Sequence, residues 1–186
     1  MAMSDPMTTA MSEALEECLE FACDRLRSGR RQKPVVLHSV RILFRLWDYG
    51  YGDAHLLMAA LLHDVIEDSQ TSIEEIESRF GPSVAALVSS VTFDPRLEYG
   101  PERYTELFER CVRQGQSAAI LKCADILDNS FYFEQAPSAE RTQELFRKTA
   151  VFLQMSRPLI GRERVWRDLW KQCQAGESGV KSFHPS

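Results

Sequence analysis

No stretch of about 18 uninterrupted apolar residues occurs in this chain, so a membrane-spanning helix is not expected. The opening residues, MAMSDPMTTAMSEALEE, carry acids where a secretory signal would carry a basic region and an apolar run. The expected compartment is the cytoplasm. Cysteine is sparse and unpatterned. Cys18, Cys23, Cys111, Cys123 and Cys173 are odd in number and show no C-x-x-C spacing, which argues against a disulfide framework or a zinc ribbon. They fit a reducing compartment as small, mostly buried apolar side chains. Positive charge is also lacking. With a net charge of −5 and a pI near 5.5, the chain is not expected to bind nucleic acid through its general surface. Strand-like alternation, internal repeats and low-complexity linkers are absent as well.

What is present is helical patterning in a chain of 186 residues, enough for one domain. Leu15, Cys18, Leu19, Ala22 and Leu26 recur at helical spacing, with Gly29 as a stop. Arg25, Arg27, Arg30, Arg31 and Lys33 crowd together there, as a solvated helix end or as a local anion site. Pro34 opens a second helix that ends at the Tyr49-Gly50-Tyr51-Gly52 turn. Asp53 is an N-cap for AHLLMAALLHDVIED, apolar on nearly all sides until His63, as in a helix at the centre of a bundle. Thr71 or Ser72 caps an acidic helix, with Glu75 placed as in a capping box, and Gly81-Pro82 breaks the chain before SVAALVSSV. FDPRLEYGPER reads as a loop, and helices are predicted over about 102–113, 116–134, 138–157 and 162–174. The expectation is one all-α domain over 12–175, with flexible ends at 1–11 and 176–186.

The chemistry concentrates in Leu61-Leu62-His63-Asp64-Val65-Ile66-Glu67-Asp68. An adjacent histidine and aspartate at the polar end of an apolar helix are costly to bury without partners. A divalent cation removes that cost, and imidazole with carboxylate suits Mn²⁺, Fe²⁺, Co²⁺ or Zn²⁺. His38 upstream and Asp125, an acid interrupting an apolar stretch, are candidates to complete the ligand set. Each also has a plainer reading: His38 as a hydrogen-bonded core histidine, Asp125 as a buried acid paired with Lys122. Glu67 and Asp68 lie four residues beyond His63 and Asp64, where a carboxylate could orient water or take its proton. Lys122 and Asn129 flank Asp125 by one turn each and offer a cation and an amide to a phosphate or ribose. His55 and His184 have no such company. Trp166 and Trp170 are expected to close the core rather than to form a subunit contact.

The order H38…H63-D64…D125 resembles the HD phosphohydrolase superfamily, whose members bind metal inside a helical bundle. AALLHDVIEDSQTSIEEIESRFGPSVAALVSSVT is similar to the hydrolase domain of RelA/SpoT-type enzymes, and LKCADILDN to their second signature, over about residues 15–155. The resemblance implies an HD-domain bundle and Mn²⁺-dependent removal of the 3′-pyrophosphate from guanosine alarmones such as ppGpp. It implies His38, His63, Asp64 and Asp125 as metal ligands, with Glu67 and Asp68 acting on the water. Lys122, Asn129 and Arg30 or Arg31 would lie near the nucleotide, a small-molecule partner. Three departures stand out. Ser39 replaces the family's proline after the first histidine, SFYFE follows Asn129 where leucine and arginine are usual, and Phe146 stands near a usual tyrosine. They leave open an HD phosphohydrolase acting on an adenosine alarmone, a phosphorylated dinucleotide cofactor or a nucleoside monophosphate. An inactive module that senses a nucleotide or binds a partner is the third reading.

Overall fold

The chain's computed structural model describes residues 7–27 and 35–181, with side chains as far as residue 175. Arg30, Arg31 and Lys33 lie outside the described residues, as do Gly29 and Pro34. Among the described residues all regular structure is helical, and no helix is long and apolar enough to cross a membrane. The chain divides into two compact units, residues 1–94 and 95–186.

The first unit holds α1 (Thr9–Arg27), α2 (Val35–Asp48), α3 (Ala54–Leu62), α4 (Val65–Asp68), α5 (Ile73–Phe80) and α6 (Pro82–Val91). α1 begins earlier than its apolar spacing suggests, because Thr8 Oγ1 accepts the Met11 N–H at 3.2 Å. α3 is the central element. Its cap forms as expected, Asp53 Oδ1 accepting the Leu56 N–H at 2.8 Å. Leu56, Leu57, Ala59, Ala60, Leu61 and Leu62 are all buried, with α1, α2 and α6 packed around them. α5 starts at Ser72, whose Oγ accepts the Glu75 N–H at 3.3 Å, while the Glu75 carboxylate pairs with Arg25 on α1. The Phe21 and Phe80 rings meet edge-on at 5.2 Å, and the Arg79 guanidinium lies over both. Gly81, at φ 87°, supplies the left-handed turn that lets Pro82 start α6.

The second unit holds α7 (Pro101–Gln114), α8 (Gln116–Ser130), a 3₁₀ turn (Phe133–Gln135), α9 (Ala139–Ile160) and α10 (Arg164–Lys181). Here α8 is central, packed by α7, α9 and α10, and every residue from Ala118 to Asp128 is buried. It stops at Ser130 rather than continuing through Glu134, and the 3₁₀ turn takes over. Phe108 packs on Phe152, and Phe133 on Phe146. Trp166 is buried and donates its Nε1–H to the Leu153 carbonyl at 3.2 Å, which ties α10 to α9, whereas Trp170 is half exposed.

Candidate metal centre

In the first unit, three of the proposed ligands meet. α2 turns His38 inward, and α3 delivers His63 at its C-terminal end, each only 3% exposed. Their rings pack edge-on with centroids 5.2 Å apart. Asp64 faces both: its Oδ1 lies 3.2 Å from His63 Nε2 and its Oδ2 lies 3.9 Å from His38 Nε2.

The helix does not run through this pair, contrary to the continuous AHLLMAALLHDVIED helix that the sequence suggests. α3 ends at Leu62, His63 and Asp64 form a turn, and α4 resumes at Val65. Both turn residues keep right-handed dihedrals, but Asp64, at ψ −7°, falls towards the bridge region. The Asp68 N–H still bonds the Asp64 carbonyl at 3.0 Å, so the joint re-aims α4 without releasing it.

The tautomer of His63 follows from its surroundings. Its Nδ1 lies 2.9 Å from the Ala60 carbonyl oxygen, which can only accept, so Nδ1 carries the proton. In neutral His63 the lone pair is therefore on Nε2, which lies 3.2 Å from a carboxylate oxygen of Asp64. Two lone-pair atoms at that separation repel unless a proton or a cation lies between them. Ligands about 2.1 Å from one ion and at right angles to each other stand about 3.0 Å apart. The donor set thus fits a divalent transition metal, and the Ala60 carbonyl is placed to orient the His63 imidazole as an outer partner would.

The acids of α4 lie at the same joint. Glu67 accepts the Phe93 backbone N–H at 2.7 Å, so the chain leaving α6 holds this carboxylate in place. That contact joins residues 26 apart, and no spacing rule in the sequence points to it. Asp68 is half-buried.

The second unit supplies Asp125, 6% exposed on α8. Lys122 Nζ lies 2.8 Å from its Oδ2, and Asn129 Nδ2 donates to its Oδ1 at 2.6 Å. A buried carboxylate is costly, and these two contacts offset that cost while fixing its rotamer. Lys122 and Asn129 thus hold Asp125 directly, which the sequence raised for Lys122 alone. Asp128, also buried on α8, is an acid the sequence reading passed over, although it too interrupts an apolar stretch.

Cys18, Cys111, Cys123 and Cys173 are buried, while Cys23 is half-buried. Burial pushes the Cys18 thiol up to about 12 and the Cys111 thiol up to about 11, and raises Cys123 well above its usual value. His55 is exposed at the far end of α3, and His184 lies outside the described residues. Of the departures, Ser39 is buried with its Oγ donating to the Val35 carbonyl, and Phe146 is packed in the core. Phe131 and Tyr132 stand about half exposed just past the end of α8.

The HD domain family profile matches residues 18–155, most of the first unit and the second as far as α9. The guanosine-3′,5′-bis(diphosphate) 3′-pyrophosphohydrolase MESH1 of Drosophila melanogaster is 39% identical over 128 residues, covering 66% of this chain and 71% of that protein. A probable guanosine-3′,5′-bis(diphosphate) 3′-pyrophosphohydrolase of Synechocystis is 33% identical over 81% of this chain, which spans only 20% of that longer protein. Among solved structures, a metazoan ortholog of SpoT that hydrolyses ppGpp superposes with a TM-score of 0.77 at 29% identity. That match covers 90% of this chain and 96% of the other.

Proposed function

Since this chain belongs to the HD domain family, we propose that it is a metal-dependent guanosine-3′,5′-bis(diphosphate) 3′-pyrophosphohydrolase. In this reaction water attacks the phosphorus bonded to the ribose 3′-oxygen, and the P–O3′ bond breaks. The 3′-oxygen takes up a proton and pyrophosphate departs, so ppGpp gives GDP and pppGpp gives GTP.

The proposal takes His38, His63, Asp64 and Asp125 as the ligands of one divalent ion, with Mn²⁺ the expected metal. The observation that carries it is His63 Nε2 lying 3.2 Å from Asp64 Oδ1 while Nδ1 is committed to the Ala60 carbonyl. When bound, the ion supplies Lewis-acid polarisation of the phosphoryl group and acidifies water. Glu67, oriented by the Phe93 N–H, receives the proton of the attacking water, and Asp68 holds that water in line. Lys122 and Asn129 keep Asp125 in its rotamer and present an ammonium and an amide towards the nucleotide. Arg30 or Arg31 is the proposed phosphate or base contact from the segment before α2.

Phe131 and Tyr132 favour a second reading in which the enzyme prefers another phosphorylated nucleotide, since two exposed aromatics stand where the related signature carries an arginine. Turnover of ppGpp by chelator-stripped protein, with and without Mn²⁺, tests both readings. Mn²⁺-dependent release of GDP and pyrophosphate is the expected result. Bound Mn²⁺ without ppGpp turnover would sink the guanosine assignment, and a panel of phosphorylated nucleotides would then identify the substrate.

A further inference from the structure

A surface helix ordinarily buries an apolar stripe and turns polar residues outward. α2 buries Val35, His38, Ser39, Ile42, Leu43 and Leu46, as expected. Its outward face is not wholly polar, however. Leu37 is 58% exposed and Phe44 63% exposed, with Val40 and Trp47 half-buried beside them. Arg41 and Asp48 share this face. At 100° per residue, Leu37, Arg41, Phe44 and Asp48 fall within a band about 60° wide. The band thus alternates apolar and charged side chains, with one cation, one anion and a phenyl ring between them.

We propose that this face of α2 is the contact of a homodimer, made with the same face of a second copy, the two helices antiparallel about a two-fold axis at Phe44. The charges select this occupant. Arg41 and Asp48 are seven residues apart, about 10.5 Å along the axis, and their midpoint falls next to Phe44. A two-fold axis there sets Arg41 against the partner's Asp48 and Asp48 against the partner's Arg41. Two such pairs bracket a Phe44–Phe44 contact at the centre. A parallel two-fold would instead oppose Arg41 to Arg41 and Asp48 to Asp48. The antiparallel contact is isologous and closes on itself, so it yields dimers rather than filaments. One helix face is smaller than the roughly 800 Å² per partner of a standard interface, so the dimer is expected to be weak, with a Kd of about 10 μM.

Sedimentation velocity of the full chain from about 1 to about 300 μM brackets that Kd. The mass should rise from 21.3 kDa towards twice that value. Phe44→Glu should raise Kd at least about tenfold, with circular dichroism and turnover unchanged. Arg41→Asp and Asp48→Arg should each weaken self-association about tenfold, while a mixture of the two should form heterodimers to within about threefold of the parent. Phe44→Cys in a Cys23→Ser background should form a disulfide dimer on oxidation. A chain that stays monomeric throughout would overturn the proposal, as would a dimer that survives Phe44→Glu. Loss with Phe44→Glu but no response to the charge variants or their mixture would overturn the antiparallel pairing.

Discussion

The ammonium of Lys122 lies 2.8 Å from Asp125 Oδ2, one helical turn away on α8, with both side chains nearly withdrawn from water. A cation is therefore already built in beside a proposed metal ligand. An ion bound by Asp125 must share this carboxylate with Lys122 or displace it.

Lys122→Met separates the two cations. Removing one member of a buried pair typically costs about 3–5 kcal/mol, because the remaining charge is left uncompensated. That loss is expected in chelator-treated protein and should shrink by at least half when Mn²⁺ saturates the site. Urea unfolding under both conditions measures it. An equal loss with and without Mn²⁺ would separate Lys122 from the metal.

His63→Ala removes the Nε2 donor whose direction the Ala60 carbonyl fixes. Stoichiometric Mn²⁺ should be lost, as read by elemental analysis after gel filtration. The wild-type chain should gain about 2.7 kcal/mol of stability at a free Mn²⁺ concentration of 100 times Kd, and the variant nothing. Metal retained at one equivalent in the variant contradicts the ligand set.

Glu67→Ala and Asp68→Ala address the proton transfer. Each should lower kcat by about 10²–10⁴ while leaving Mn²⁺ content unchanged. Rapid-quench kinetics on the metal-loaded variants is the measurement. Full turnover would remove these acids from the reaction, and lost metal would make them ligands instead.

Acid sensitivity should appear at Glu144, far from this chemistry in the sequence. Hydrogen bonds from Lys148 and Arg141 hold its carboxyl at about 2, down from 4.5. A lowered folded-state value stabilises the fold above the unfolded value, and this contribution fades as pH falls from about 4.5 to about 2. Because Glu144 is more than a third exposed, solvent screens the effect, and Glu144→Gln should lower Tm by a few °C at most at neutral pH. The gap between the two proteins should close towards pH 2 in low salt. A gap that is constant with pH points to packing instead.

Much of this architecture was readable in advance, for reasons that differ by element. α3 announced itself because Asp53 is a strong cap and the residues after it are apolar on every side, which only a central helix tolerates. The break at His63-Asp64 was not readable: both residues suit a helix and keep right-handed dihedrals, so composition carries no signal of it. α8 was extended too far because Ser130, Phe131 and Tyr132 neither favour nor forbid helix, and no proline intervenes before Pro137. The Lys122–Asp125 pair could be foreseen from i, i+3 spacing. The Phe93–Glu67 contact could not, since it depends on where the chain returns after α6.

The α3–α4 joint also governs how this chain tolerates changes of length. Asp53 pins one end of α3, and nine residues later the helix hands over to His63 and Asp64. Inserting or deleting a single residue within that span would swing both side chains about 100° around the axis and move them about 1.5 Å along it. The same change in the loop between α6 and α7 would be absorbed by turns. The segment from Asp53 to His63 therefore acts as a ruler, and its residue count is as much a part of the site as its histidine and aspartate.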